Sequence, residues 1–599
     1  MTGLPRRAFL ATTAALSAAW ALPTDLLGSA LAAPLQPSSA PTTLLATVRQ
    51  RATPEHKNYR TLVAGGGEPY LTRTDITGKQ PNPKRITARR SLLYVGHFSD
   101  IHLIDAQSPA RLEPLEAVAP ALMSDASRPQ DTLTTQVLAQ MVASVADARF
   151  SPLTGAPMAA TFVTGDMADS HSSMELRWYI DLLDGVSVVP NTGAAGVYDG
   201  VQVWPEANYV YHPEDPGVDI FGDYGFPTIP GYLTASVSHE VRSVGLPVPY
   251  YSVYGNHDTT FMGNIQVDSW IQTWAQGPRK CSLAQATVQH MMVGGWVSES
   301  SAFQRFAYNL QTRFGAQPGI HDVAADPARK LFDQLGFMQA HLETKPVPGP
   351  IGHGFTAQNI QTGQTWWKTD VGPNFRFFGL DSCNQIAGAD GAIPQSQFDW
   401  LKAELTQAHA DRKICVVTSH HNSYTLENTA VATIGPSENL IHGEQFIAML
   451  QEFPHLIAWV NGHTHVNTIT AHPKPGGGGF WEITTASCVD FPQQQQAIEF
   501  VDNRDGTLSI FTTVLDHKSP AAWTEGDFSQ VGLASLSRQL ASNDWYVDPL
   551  QRCGSLYDRN CELLIPAPFD MSQLTDTELE KAQAAARARL VAYAQGARS

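Results

Sequence analysis

The chain has little positive charge and little charge overall. Of its 599 residues, 39 are Lys or Arg and 56 are Asp or Glu, which gives a formal net charge of −17. Charged residues make up 16% of the chain, against roughly 25% in average soluble proteins. A chain this acidic has no broad basic face for a nucleic-acid backbone, so no long nucleic acid is expected as a partner. Hydrophobic residues make up 43%, which excludes wholesale disorder.

Cysteines and long apolar runs are also scarce. The six cysteines form no CxxC pair, which excludes zinc-ribbon and thioredoxin-like proteins. Cys553 and Cys561 close a short polar loop, where a disulfide is plausible outside the cytoplasm; the sequence leaves that pairing open. Beyond the N-terminal segment no run reaches about 18 apolar residues, so the mature protein is expected to have no membrane span.

Residues 1–32 have the pattern of a targeting segment. Arg6-Arg7 precedes an alanine-rich apolar run, and small residues lead up to Ala32. A positive start, a short apolar stretch and a small-residue cleavage site are typical of a secretory signal peptide. The paired arginines resemble those of the twin-arginine export route. We therefore expect an exported protein with an extracellular, periplasmic or cell-surface location.

Composition divides the rest of the chain into three parts. Residues 33–90 are rich in Pro, Thr, Gly and Arg and predict an extended N-terminal segment. Residues 91–518 carry the regular patterns and predict one large catalytic domain. Within it, periodicity disappears over 186–246, and so long a loop in a compact domain is usually an active-site cover or a binding loop. Residues 519–599 predict an irregular and helical C-terminal extension.

The catalytic domain is predicted to be α/β. Short apolar runs typical of buried strands alternate with helical patterns. These runs lie at 92–98, 160–164, 250–254, 375–380, 414–418 and 456–460. Consecutive strands then follow between 480 and 515. Strands that alternate with helices and then form hairpins predict two sheets with helices outside them.

Five polar clusters each follow one of these apolar runs. They are Asp100 with His102, Asp166 with Asp169, Asn256 with His257 and Asp258, His420 with His421, and His463 with His465. Strand ends are where a rigid scaffold presents functional side chains. Carboxylates, imidazoles and one carboxamide suit first-row metals such as Zn, Mn or Fe. Two such ions can clamp a phosphoryl group and generate a hydroxide nucleophile near neutral pH.

The order of the clusters resembles the calcineurin-like metallophosphoesterase superfamily, whose pattern is D-x-H, G-D-x-x-D, G-N-H-[DE], H and G-H-x-H. Every position is filled between residues 91 and 516. The resemblance implies a four-layer α/β sandwich with long loop insertions and two divalent or trivalent ions (Mn, Fe or Zn). It implies that Asp100, His102 and His465 hold the first ion, Asp166 bridges, Asn256, His420 and His463 hold the second, and His257 is a catalytic acid held by Asp258. His420 is preferred to His421 because it lies nearer the strand end.

Two further likenesses concern subfamilies. Purple acid phosphatases place a Tyr ligand where this chain has Asp169, which argues against a coloured Fe(III)–tyrosinate site. The twin-arginine start and long insertions look like an exported bacterial subfamily of metallophosphoesterases, a likeness that implies no substrate.

The leading hypothesis is a secreted dimetal hydrolase that attacks small phosphomonoesters or phosphodiesters with a metal-bound hydroxide. One alternative is an exported nucleotidase or nuclease of the same fold, although the net charge argues against long polyanionic substrates. The other is a non-catalytic metal-binding surface protein. The intact His257-Asp258 pair disfavours this last reading, because a structural metal site needs no catalytic acid.

Overall fold

A computed structural model describes residues 42–117, 125–215, 217–284, 319–431 and 438–595. The expected signal peptide at 1–32 lies outside the described residues. The strands are β1 (Ala46–Gln50), β2 (Leu62–Gly66), β3 (Leu71–Arg73), β4 (Arg90–Phe98), β5 (Ala160–Val163), β6 (Tyr250–Ser252), β7 (Arg279–Cys281), β8 (Ile320–Asp322), β9 (Trp367–Val371), β10 (Phe375–Gly379), β11 (Ile393–Pro394), β12 (Ile414–Thr418), β13 (Leu440–Ile441), β14 (Leu456–Asn461), β15 (Thr468–Pro473), β16 (Gly479–Thr484), β17 (Gln494–Asp502), β18 (Thr507–Asp516) and β19 (Cys561–Pro566).

Helices lie between many of these strands, and one follows the last strand. They are α1 (Arg85–Ala88), α2 (Glu113–Glu116), α3 (Thr134–Asp147), α4 (Ser173–Leu183), α5 (Ile220–Tyr224), α6 (Tyr232–Ser238), α7 (Ser269–Gln276), α8 (Gln334–Leu342), α9 (Ala357–Thr362), α10 (Gln395–Ala410), α11 (Gly443–Leu450), α12 (Gln530–Ala541) and α13 (Asp576–Ala594). A capping box opens α4, in which Ser172 and Glu175 each accept from the other's backbone N–H. In the described residues no helix is both long and apolar enough to span a bilayer.

Two large mixed sheets organise the molecule. The seven-stranded sheet has the order β3-β19-β18-β17-β4-β5-β6, and the six-stranded sheet has the order β15-β16-β14-β12-β10-β9. Strands β4, β5 and β6 are parallel neighbours in the first sheet. Strands β10, β12, β14 and β16 are parallel neighbours in the second. Their sequences are apolar without alternation because such strands are buried on both faces.

The sheets pack face to face with helices outside them. Phe162 of β5 stacks on Phe377 of β10, with ring centroids 4.1 Å apart. On the outer face of the six-stranded sheet, Leu401 of α10 and Phe446 of α11 pack against its strands. Helices α3 and α4 pack in the same way on the seven-stranded sheet. The predicted sandwich of two mixed sheets flanked by helices is confirmed.

Strand register aligns the ends of the parallel strands. Phe98 of β4 pairs with Val163 of β5, and Val163 pairs with Ser252 of β6. In the other sheet, Gly379 of β10 pairs with Thr418 of β12, and Thr418 pairs with Val460 of β14. The turns that follow these strands therefore lie side by side at one edge of each sheet.

Both terminal segments contain more regular structure than the sequence predicts. In the expected extended segment, β3 pairs with β19 at the edge of the seven-stranded sheet. The stretch 519–566, expected to be irregular, contains α12, and β19 pairs with β18 in the same sheet. These strands are short or distant in sequence from their partners, so local periodicity does not reveal them. All six cysteines are free thiols, Cys553 and Cys561 included.

The insertion 186–246 is also more ordered than the expected loop. It contains α5 and α6, and its aromatic residues form a buried cluster with Leu533 and Leu536 of α12. Thr192 donates to Asp105 Oδ1 at 2.6 Å, which brings the insertion within three residues of His102. That the insertion covers the site remains a prediction.

Candidate metal centre

The five polar clusters meet where the aligned strand ends of the two sheets face each other. Five of the seven expected metal ligands have a left-handed backbone conformation. Their φ angles are 51° at Asp100, 46° at His102, 55° at Asp166, 72° at His463 and 59° at His465. Side chains other than glycine rarely adopt this conformation, and such strain concentrates at functional sites. The turns are therefore shaped to direct these side chains.

The first cluster consists of Asp100, His102 and His465 together with Asp166. His102 Nε2 and His465 Nε2 are 3.2 Å apart. His465 Nε2 lies 3.2 Å from Asp100 Oδ1, and His102 Nε2 lies 3.4 Å from Asp166 Oδ2. Both carboxylates and both imidazoles thus face one small volume.

The second cluster consists of Asn256, His420 and His463, again with Asp166. His420 Nε2 lies 3.2 Å from Asp166 Oδ2 and 2.9 Å from Asn256 Oδ1. His463 Nδ1 lies 3.1 Å from Asn256 Oδ1 and 3.2 Å from His420 Nε2. Asp166 Oδ2 therefore faces both clusters, as a bridging carboxylate would.

The donor atoms suit the binding of divalent metal ions. Carboxylate oxygens, imidazole nitrogens and an amide oxygen converge in each cluster, a set that suits Zn, Mn or Fe. Among the described residues, every close grouping of three or more His, Cys, Asp or Glu donor atoms belongs to these strand ends. The imidazole nitrogens and carboxylate oxygens lie close together around one point. A cation bound there would separate these atoms and neutralise the carboxylates.

The titration of the histidines agrees with cation-attracting clusters. Burial alone would lower the pKa of His420, but the facing Asp166 carboxylate overrides it and raises the pKa to about 9. Burial likewise opposes charge on His465, yet Asp100 raises its pKa to about 9. Burial lowers the pKa values of His102 and His463, so their rings remain neutral.

The choice between His420 and His421 follows from their hydrogen bonds. His420 Nδ1 donates to the Thr164 carbonyl at 2.8 Å, which leaves Nε2 facing the second cluster. His421 lies close to the rings of His420 and His463. However, its Nε2 donates to the Ala389 carbonyl at 2.7 Å and its Nδ1 contacts Ser382 Oγ at 2.9 Å. These contacts favour His420 as the ligand.

Glycines in the motifs allow the turns to approach each other. A side chain at Gly255 would collide with Asp166, and one at Gly462 would collide with Ser99 and Asp100. The glycines before Asn256 and His463 thus have a steric reason, since the turns of different strands are in contact.

Buried carboxylates orient both imidazoles of the first cluster. His102 Nδ1 donates to Asp169 Oδ1 at 3.0 Å, and His465 Nδ1 donates to Asp490 Oδ2 at 2.6 Å. Arg111 donates to Asp169 at 2.7 Å, and Arg128 donates to Asp490 at 2.8 Å. A carboxylate on the second ring nitrogen fixes the tautomer of a metal-binding imidazole and raises its basicity.

Sequence reasoning did not find Asp490, Arg111 or Arg128. These residues lie outside the five motifs. Nothing in the local sequence identifies the side chains with which they pair. All three side chains are buried.

Asp258 does not hold the His257 ring, contrary to the expectation. Its carboxylate oxygens accept backbone N–H groups from Met167 and Ala168 at 3.1 Å and from Gly255 at 3.0 Å. The His257 ring is held by a backbone carbonyl, because its Nδ1 lies 2.6 Å from Asp169 O. Asp258 therefore fixes the turn that carries Asp166, and its role is to position that carboxylate.

Gly263 orients the Asn256 amide. Asn256 Nδ2 donates to the Gly263 carbonyl at 3.2 Å, which turns Oδ1 toward His420 and His463. Gly263 has a φ of 69°, and a side chain there would press on Asn256 and on the His257 ring. The loop around Gly263 thus sets the direction of the expected amide ligand.

The chain matches no protein-family model and no curated protein. One solved structure that it resembles is a dimetal phosphatase from Danio rerio, at 10% sequence identity and a TM-score of 0.31. The alignment covers 72% of this chain and 100% of that one. A TM-score this low carries no weight for the chemistry of the present chain.

Replacing Asp490 should weaken metal binding at the first cluster. Asp490→Asn removes the charged acceptor of His465 Nδ1, and loss of such a partner typically costs about 10–100-fold in metal affinity. Calorimetric titration of metal-free protein with Mn²⁺ or Zn²⁺ would measure the change. Asp502→Asn is a matched control, because Asp502 is a buried partner of Arg90 on the far end of β17. Equal affinities in Asp490→Asn and wild-type protein would contradict the assigned role.

Proposed function

We propose that this chain is a dimetal phosphoesterase of the calcineurin-like metallophosphoesterase superfamily and hydrolyses small phosphomonoesters or phosphodiesters. The observation that supports this most strongly is the pair of donor clusters that face one oxygen of Asp166. The order of the motifs along the chain and their position at aligned strand ends support it independently.

The residues divide into two ligand sets. Asp100, His102 and His465 would hold one ion, and Asn256, His420 and His463 would hold the other, with Asp166 between them. When bound, such a pair of ions polarises phosphoryl oxygens and lowers the pKa of a coordinated water. Asp169 and Asp490 hold Nδ1 of His102 and His465, so Nε2 of each ring faces the other ligands of the first set.

His257 is the candidate for the group that delivers a proton to a departing oxygen. Nδ1–H donates to the Asp169 carbonyl, which leaves Nε2 as the nitrogen available to a substrate. The His257 backbone N–H donates to Asp166 Oδ1 at 2.8 Å, so the turn that carries the ring is tied to this carboxylate. Its side chain is 16% exposed, whereas His102 and His420 are at most 2% exposed. A partly exposed imidazole beside the donor clusters suits a general acid.

Two other functions are less well supported. An exported nucleotidase or nuclease shares the same metal chemistry, but the net charge of −17 disfavours polyanionic substrates. A non-catalytic metal-binding surface protein would have no use for the His257 arrangement. We also propose export through the twin-arginine route and membership of the exported bacterial subfamily, on the strength of Arg6-Arg7 and the apolar run that follows.

Hydrolysis of model esters tests the proposal directly. Protein that begins at residue 33 and is loaded with Mn²⁺, Zn²⁺ or iron should hydrolyse p-nitrophenyl phosphate or bis-p-nitrophenyl phosphate, and chelation should abolish the activity. The control is His409→Ala, which changes an exposed histidine of α10. Protein that binds two ions and cleaves neither ester would favour the non-catalytic alternative.

Replacing His257 should cost most on esters with poor leaving groups. His257→Ala should retain metal and lose about 10²–10⁴ in rate on an alkyl phosphate, the usual range for general acid–base catalysis. The loss should be clearly smaller with p-nitrophenyl phosphate, because p-nitrophenolate leaves without a proton. Equal losses on both substrates would assign His257 a binding or electrostatic role instead.

A further inference from the structure

One parallel strand end at the same edge has no part in the metal centre. Strand β10 lies beside β12, and Gly379 pairs with Thr418. Asp381 follows Gly379 by two residues, and His420 follows Thr418 by two residues. Asp381 therefore occupies, on its own strand end, the position that His420 occupies on the next. Ligands of α/β proteins bind at such carboxyl strand ends.

Asp381 is held rigidly. Its backbone N–H donates to Gln397 Oε1 at 2.9 Å, and Gln397 Nε2 donates back to its carbonyl at 2.6 Å. Gln397 is fully buried and Asp381 is 5% exposed. The Asp381 carboxylate accepts from Cys383 N at 3.0 Å and from Gln334 Nε2 at 3.4 Å. A buried side-chain amide that fixes one backbone position is typical of a preorganised binding site.

Asp381 lines the smaller of two neighbouring cavities. Their volumes are about 480 and 320 Å³, and both are lined by Gln334 and Gln385. We name these two cavities together the amide groove, after the lining residues Gln266, Gln334, Asn384 and Gln385. Its size is within the usual range for small-molecule pockets, about 300–1,000 Å³.

Residues that line the amide groove, or that follow a lining residue in the chain, contact residues of the metal centre in two places. Ser382, next to Asp381, contacts His421 Nδ1 at 2.9 Å, and the His421 ring lies 4.4 Å from that of His463. At the other side the groove is lined by Thr259 and His171, and His171 Nδ1 lies 3.2 Å from the His257 carbonyl. The groove thus lies along the turns that carry the second cluster and the candidate acid.

The chemistry of the lining selects the kind of ligand. Amide side chains both donate and accept hydrogen bonds, which matches hydroxyl groups, and a carboxylate accepts from them. The charged lining residues are one cation, Lys330, and three anions, Asp333, Asp381 and Glu438. A second phosphate or carboxylate on the ligand would be repelled from this lining.

We propose that the amide groove binds the organic portion of the substrate, and that this portion is a neutral, hydroxyl-rich group such as a sugar or polyol that carries a single phosphate. The proposal rests on the proposed phosphoesterase function. Asp381 and Gln334 are the residues assigned to hydroxyl recognition.

Kinetics of Gln334→Leu and Asp381→Asn on matched esters test the proposal. With fructose 6-phosphate, each variant should lose about tenfold or more in kcat/KM, mainly through KM, because a hydroxyl loses its partner. The loss with p-nitrophenyl phosphate should be several-fold smaller. Wild-type protein should prefer fructose 6-phosphate to fructose 1,6-bisphosphate. Gln339→Leu is the matched control, since Gln339 lies on the same helix and is exposed outside the groove.

Equal losses on both esters, or a preference for the bisphosphate, would overturn the proposal. Calorimetric binding of fructose 6-phosphate to metal-loaded His257→Ala protein separates it from the phosphoesterase function. If Gln334→Leu weakens this binding tenfold and metal-loaded wild-type protein cleaves no ester, the groove is retained and the enzyme is rejected. If the wild-type protein hydrolyses p-nitrophenyl phosphate but Gln334→Leu does not change the binding of fructose 6-phosphate, the enzyme is retained and the groove is rejected.

Discussion

One carboxylate connects the parts of the candidate centre. Asp166 Oδ2 lies within 3.4 Å of His102 and of His420, and Asp166 Oδ1 accepts the backbone N–H of His257. His102 and His257 follow strands of the seven-stranded sheet, whereas His420 follows a strand of the six-stranded sheet. The site therefore depends on the two sheets being packed so that their edges meet. The aromatic contact between Phe162 and Phe377 is one of the interactions that set this packing.

The burial of so many ionisable groups is costly unless they are paired. Asp169 and Asp490 each lie between a histidine and an arginine, so neither carboxylate is left uncompensated. Arg128 contacts Asp490 and also lies 3.9 Å from Asp169 Oδ1, which links the supports of both first-cluster histidines. Removing one partner from such a network leaves a buried charge unpaired and is strongly destabilising. This pairing holds the imidazoles in place before any metal binds.

The sequence predicted the parts of the site that local pattern controls. Apolar runs followed by polar turns indicated the strands. They also predicted that the residues after the strands lie together where the strands end, among them Asp100, Asp166, Asn256, His420 and His463. It could not show that β19 completes the seven-stranded sheet, since that pairing joins segments far apart in the chain. It assigned Asp258 to the His257 ring because the two are adjacent, whereas the Asp258 carboxylate accepts from the neighbouring Met167 turn. Residues such as Asp490 and Asp381 carry no motif, and only tertiary contacts reveal them.

The central claim is that one carboxylate bridges two metal positions, and metal content measured on matched variants tests it most directly. Wild-type protein reconstituted with Zn²⁺ or Mn²⁺ should hold close to two ions, and anomalous diffraction should place them on either side of Asp166. His463→Ala should lose the ion of the second cluster and keep the other, whereas Asp166→Asn should deplete both. Full occupancy of both positions in Asp166→Asn would contradict the account.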